Sequence, residues 1–118
     1  KRIEVNTIDP KTVENKVIME SVQQSEEISE IDIVKKGIDL LSIKRYKDSI
    51  EYFDRAIKLN PKFAEAYNFK ASAYIQLSEF MEALKWLEKA ISLDSNYRDA
   101  YLNKGTAFFS MAKYNDAV

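Results

Sequence analysis

From residue 30 onward the apolar side chains recur at helical spacing. Val34, Ile38 and Leu41 stand at i, i+4 and i+7, and so do Ile50, Asp54 and Ile57, with Phe53 alongside. That spacing gathers side chains on one stripe of an α-helix. Ala66, Tyr67, Ala71 and Tyr74 form the next stripe, and Ala83, Leu84, Leu87, Ala90 and Ile91 the one after. Asn60-Pro61 interrupts the pattern, because proline disfavours helix in the residue before it and lacks a backbone donor. Asp94-Ser95-Asn96 occupies the equivalent place with turn-prone side chains. The spacing predicts helices over about 31–43, 47–59, 64–77, 80–93 and 98–111, with a sixth starting near Tyr114. Upstream, Asp9-Pro10 reads as a helix cap with proline in the first turn. Val13, Val17, Ile18 and Val22 then support a helix over about 10–24, expected to pack on the repeats of its own or a neighbouring molecule.

The chain matches itself when shifted by 34 residues. Tyr46, Phe80 and Tyr114 share a column, as do Leu40, Tyr74 and Phe108, and Ile43, Leu77 and Met111. Gly37, Ala71 and Gly105 form a small-residue column, and Ser49, Ala83 and Ala117 another. Ala56 repeats as Ala90, Leu59 as Leu93, Tyr67 as Tyr101, and Lys36 as Lys70 and Lys104. A fixed period in this range marks an array whose units bury their apolar faces against one another. At the bare positions a neighbouring helix can approach, so Gly105→Leu is expected to cost about 1–3 kcal/mol by overpacking. Helical charge pairs, Glu51 with Arg55 and Asp54 with Lys58, are each expected to add about 0.3 kcal/mol.

These columns resemble the tetratricopeptide repeat. Its alternation of small, aromatic and proline positions is met by Gly37, Leu40, Tyr46, Ser49, Phe53, Ala56 and Pro61, and then by Tyr67, Ala71, Tyr74, Phe80, Ala83, Leu87 and Ala90. Tyr101, Gly105, Phe108, Tyr114 and Ala117 begin it a third time, and Asn103-Lys104-Gly105 is similar to repeats common in archaeal and bacterial members. The resemblance implies an all-α, right-handed superhelical stack of antiparallel helix pairs, an α-solenoid of about two and a half repeats plus an N-terminal helix. The expected organisation is an extension over 1–29, repeats over 30–63 and 64–97, and a truncated third repeat over 98–118. Two departures stand out. Lys44, Ser78 and Ala112 occupy turn positions where the family often has glycine, and lysine fills the column near the middle of each first helix.

The family's first helices line a concave groove that takes peptides or helices of partner proteins. Carried over, the lining positions include Val34, Ile38 and Leu41, then Asn68, Ser72 and Ile75, then Leu102, Thr106 and Phe109, with Ile31 at the start of the first helix. The resemblance thus implies a groove that is apolar at the first unit, polar in the middle and apolar again near Phe109. Apolar groove residues would either anchor a partner or be covered by the chain's own N-terminal segment. One subset of the family clamps the carboxylate tail of chaperones with lysine, asparagine and arginine. Those positions here hold Val34, Ile38, Phe69, Asp99 and Asn103, which supply no cation, so that subset is not expected. The lysine column reads as stems laid over apolar neighbours, with an acidic ligand as the alternative. Trp86 reads as packing, with a contact on the convex side as the alternative.

Composition narrows the chemistry further. The chain has no cysteine and no histidine, so it lacks a disulfide framework, a thiolate nucleophile and the commonest general base and metal ligand. No phosphate-binding loop is present, and neither catalysis nor a cofactor is expected. A net charge of −1 does not suit a general nucleic-acid binder, and no run of apolar residues is long enough to cross a membrane. The expectation is a cytoplasmic protein-interaction module, a scaffold or adaptor. The alternative is a regulatory or self-association segment of a larger protein whose catalytic domain lies elsewhere. Homo-oligomers would form through the N-terminal segment or the C-terminal end, where the uncovered apolar face implies either a continuing parent chain or a covering subunit.

Overall fold

A computed structural model describes residues 29–117, all helical or in short turns. The expected N-terminal helix over 10–24 lies outside the described residues. Five helices follow in order: α1 (Glu30–Ser42), α2 (Tyr46–Leu59), α3 (Ala64–Gln76), α4 (Phe80–Leu93) and α5 (Arg98–Ala117). α1 packs on α2 and α3 on α4 as hairpins, α2 meets α3 and α4 meets α5, and α3 touches both α1 and α5. The first helices therefore stand side by side, which is the solenoid arrangement the period predicts.

Local chemistry explains the boundaries. Ser29 caps α1, its Oγ accepting from the Asp32 amide at 3.2 Å, while Glu30 and Asp32 put negative charge at the positive end of the helix dipole. α1 and α3 end with the same closure. Lys44 N–H donates to Leu41 C=O and Arg45 N–H to Leu40 C=O; Ser78 and Glu79 bond Ile75 and Tyr74 in the same way. This motif puts the residue after the cap in the left-handed region, and Lys44 and Ser78 sit there at φ 68° and 62° although neither is glycine. Between pairs, Asn60 Oδ1 accepts from the Lys62 amide and Asp94 Oδ1 from the Asn96 amide, each at 3.1 Å. One period apart again, the Tyr67 hydroxyl donates to Pro61 C=O at 2.8 Å and the Tyr101 hydroxyl to Ser95 C=O at 3.0 Å.

The core is two buried clusters in series. Val34, Phe53, Ala56 and Ala66 form the first; Tyr67, Ala71, Ala83, Leu87, Ala90 and Ala100 form the second. Ile57 packs against both and seals the seam between the hairpins. Burying Phe53 and Leu87, both fully enclosed, contributes about 1.5–3 kcal/mol each. Phe53 reaches full burial because Gly37 is bare. A Cβ on Gly37 would lie 2.5 Å from Phe53 Cε1.

Four expectations are corrected. No turn separates a sixth helix near Tyr114, since α5 runs unbroken through that region. The reversal at Lys44 and Ser78 needs a left-handed residue, whereas Ala112 is the strongest helix former. Among the described residues no further helix packs there to repay a reversal. Gly105 consequently has no heavy atom of the described residues within 4 Å of a would-be Cβ, so Gly105→Leu meets no steric clash among them. The Asp54–Lys58 pairing gives way to a bond between hairpins, Lys70 Nζ to Asp54 Oδ1 at 2.6 Å, and Lys104–Glu88 repeats it one period later at 2.6 Å. The expected Glu51–Arg55 pair is likewise replaced, the Arg55 guanidinium lying 4.6 Å from the centroid of the Tyr52 ring.

Candidate functional site

The wall made by α1, α3 and α5 carries the expected groove positions, but not all as open surface. Val34 is 5% exposed and Asn68 3%, so both serve the stack rather than a ligand. The reason is geometric: each lies where the next first helix leans in, and Val34 shares its cluster with Ala66 of α3. Ile38, Leu41, Ser72 and Ile75 are half-buried with part of each side chain still accessible. Ile38 and Ile75 brace against the first and second clusters respectively. Leu102, Thr106 and Phe109 are exposed, Leu102 at 62% and Phe109 at 66%.

In the middle of the wall the polar side chains are tied together. Asn103 Nδ2 donates to Asn68 Oδ1 at 2.8 Å and to Ser72 Oγ at 3.0 Å. Asn68 Nδ2 donates to the Tyr97 hydroxyl at 3.3 Å, and Ser72 Oγ donates to Asn68 C=O at 3.2 Å. The buried amide of Asn68 thereby has both ends satisfied, which a polar group withdrawn from water requires. Burial, and next the charge of Glu65, push the Tyr97 hydroxyl up to about 12; Asp99 and Asp94 push the same way, and the Asn68 bond opposes them. Tyr97 stays a neutral hydroxyl at physiological pH. Tyr97 is absent from the groove candidates, and Asn103 entered them only as a position of the chaperone clamp. The signal was a one-residue offset, since Asn103 lies one period plus one residue beyond Asn68.

The opposite layer accounts for Lys70 and Lys104 of the lysine column and for Trp86. Lys70 is 7% exposed, bonds Asp54, and holds its Nζ 3.5 Å from the centroid of the Trp86 ring. Trp86 stacks on Tyr67 at 5.9 Å between centroids and donates from Nε1 to Glu82 Oε2 at 3.3 Å. The ammonium of Lys70 is therefore engaged within the fold and is not presented to an acidic ligand. An open cleft of about 500 Å³ lies between the start of α4 and the end of α5, lined by Phe80, Met81, Met111 and Tyr114 among others. Tyr114 crosses it, with its hydroxyl 2.8 Å from Ser78 Oγ and its ring at 5.5 Å edge-on to Phe80.

A sequence model of the tetratricopeptide repeat matches residues 34–99, more than half of the chain. The chain belongs to the tetratricopeptide repeat family. Among solved structures, the tetratricopeptide domain of Arabidopsis OM64 is 30% identical at a TM-score of 0.69, covering 75% of this chain and 74% of that one. The second tetratricopeptide domain of Spaghetti (RPAP3), bound to the HSP90 peptide SRMEEVD, is 29% identical at a TM-score of 0.68, covering 82% and 89%. MamA is 28% identical at a TM-score of 0.67, and the match spans 83% of this chain and 57% of MamA. No curated protein sequence matches the chain. Membership accounts for the side-by-side first helices and makes this protein a tetratricopeptide module for protein–protein interaction. No helix among the described residues is long and apolar enough to cross a membrane.

Proposed function

We propose that the wall of α1, α3 and α5 binds an extended or helical segment of a partner protein. Ile31, Ile38 and Leu41 would anchor it at one end and Phe109 at the other, with Ile75 between them. The observation that carries this reading is the layout of that wall. Accessible apolar side chains flank a polar centre whose own needs are already met, leaving Asn103 Oδ1 with no bonded partner among the described residues and able to accept from a ligand backbone. Apolar anchors beside a few convergent polar groups are how peptide grooves combine affinity with register. Recognition of a chaperone tail, such as the HSP90 peptide bound to the Spaghetti domain, is not part of the proposal. A carboxylate tail needs cations, and the corresponding positions here are Val34, Ile38, Phe69, Asp99 and Asn103.

A random-peptide display library selected on the chain tests this. Recovered peptides should carry apolar anchors and lose binding to Ile75→Asp. They should also lose it to Ile31→Lys, which alters a side chain already 54% exposed and so spares the core. The peptide SRMEEVD should show no binding. Selected peptides that bind both variants undiminished, or tight binding of SRMEEVD, would overturn the reading.

A further inference from the structure

The rim of the groove changes character along the stack. Ile31 on α1, Glu65 on α3 and Asp99 on α5 stand one period apart at the start of the three first helices, and all three side chains are exposed. The column therefore reads apolar, acidic, acidic. Glu65 and Asp99 act on the same point of the wall. After burial, which is the largest cause, the charges of Glu65 and then of Asp99 and Asp94 hold the proton on the Tyr97 hydroxyl, and that hydroxyl is bonded to Asn68 in the polar centre. Among the described residues no cation pairs with either carboxylate. Lys70 and Lys104 are committed to Asp54 and Glu88 on the opposite layer, Arg45 and Lys85 to Asp48 and Glu82, and Arg98, beside Asp99 in sequence, bonds neither. The adjoining network points the same way. Asn103 Nδ2 spends its hydrogens on Asn68 and Ser72, and the Ser72 hydroxyl donates to Asn68 C=O. Beyond the Tyr97 hydroxyl hydrogen, what stays open here is acceptor capacity: Asn103 Oδ1 and the two carboxylates.

We propose that the partner segment bound by this wall carries Lys or Arg side chains seated over Glu65 and Asp99, next to an apolar residue seated on Ile31. The inference rests on the groove reading above and names the chemistry of its ligand. Ammonium and guanidinium groups only donate, which suits a surface whose open groups are almost all acceptors, and charge-assisted bonds are the stronger kind. Packed helix axes lie about 8–10 Å apart, a distance that extended chain spans in about three residues. An extended ligand therefore places its cations about three and about six residues from the apolar anchor. Both carboxylates also stand in the first turn of their helices, where negative charge favours the helix. A purely local role of that kind is indifferent to the charge of a ligand, and the test reads that difference.

The peptides selected on the chain from the random display library serve as probes. Those that lose binding to Ile31→Lys should carry Lys or Arg at this spacing. Replacing these basic residues by norleucine should weaken binding about threefold to tenfold, the range of a few exposed ion pairs. Charge reversal by Glu65→Lys with Asp99→Lys should invert the preference, so that a selected peptide with glutamate in place of its basic residues binds better than the original. The norleucine comparison uses the unaltered chain and holds whatever the double variant does to stability. Groove-dependent peptides without basic residues would overturn the proposal and leave the groove reading standing, as would basic peptides that bind equally well after norleucine replacement. Peptides that keep full binding to Ile31→Lys and Ile75→Asp would overturn the groove reading and this proposal with it.

Discussion

The contact between Gly37 and Phe53 makes a quantitative test, because the chain contains its own control. In Gly37→Ala the new Cβ would lie 2.5 Å from Phe53 Cε1, 2.9 Å from Cδ1 and 3.0 Å from Cζ. The obstacle is a rigid ring at 0% exposure, held on its other side by stacking with Phe69 at 5.9 Å, so it has little room to yield. Overpacking of this kind costs about 1–3 kcal/mol, from which the better helix propensity of alanine returns about 1 kcal/mol. The net expectation is a loss of roughly 0–2 kcal/mol. Gly105→Ala has no neighbour within 4 Å and should gain about 0.5–1 kcal/mol from propensity alone. Both are read from urea unfolding followed by circular dichroism. The second hairpin meets the same demand with Ala71 and Leu87, both fully buried, in place of glycine and phenylalanine. The double variant Gly37→Ala with Phe53→Leu should therefore cost less than the sum of its parts, a coupling that a double-mutant cycle measures directly. Gly37→Ala stabilising the chain as Gly105→Ala does, with no coupling to Phe53→Leu, would refute the packing argument.

Three further outcomes are expected. Lys44→Gly should stabilise by about 0.5–1 kcal/mol in urea unfolding, because glycine relieves the left-handed backbone at φ 68°. Ser29→Ala should destabilise by about 1 kcal/mol and raise amide exchange in the first turn of α1, since it removes the acceptor for the Asp32 amide. The third outcome concerns Tyr97, whose hydroxyl is raised from 10.0 to about 12 in the folded chain by burial and then by Glu65. The folded state holds this proton more tightly than the unfolded one, so the associated stability is complete below pH 10 and lost as pH rises towards 12. That loss should amount to about 1–2 kcal/mol and be absent in Tyr97→Phe, measured as denaturation midpoints across that window.

Most of the helical framework was legible in the chain itself. Positions that repeat with the period record which side chains require an apolar or close neighbour, and Pro61 and the Asx turns at Asn60 and Asp94 record where a helix must stop. These are local demands, carried by steric limits on each residue and by the helical period, so they need no knowledge of what stands opposite. Whether each demand is met was decided only by the assembled stack. Gly37 and Gly105 occupy one column, yet one supports a buried ring and the other faces open space. Val34 and Asn68 read as groove positions but are enclosed, because the neighbouring first helix leans on them, whereas Leu102 has none among the described residues. Asp54 had a plausible partner in Lys58 one turn along its own helix and instead bonds Lys70 on the next hairpin, where the Trp86 ring stabilises the same ammonium. Packing interactions are made in space between segments, and the periodicity of one strand of sequence specifies the socket without specifying its occupant.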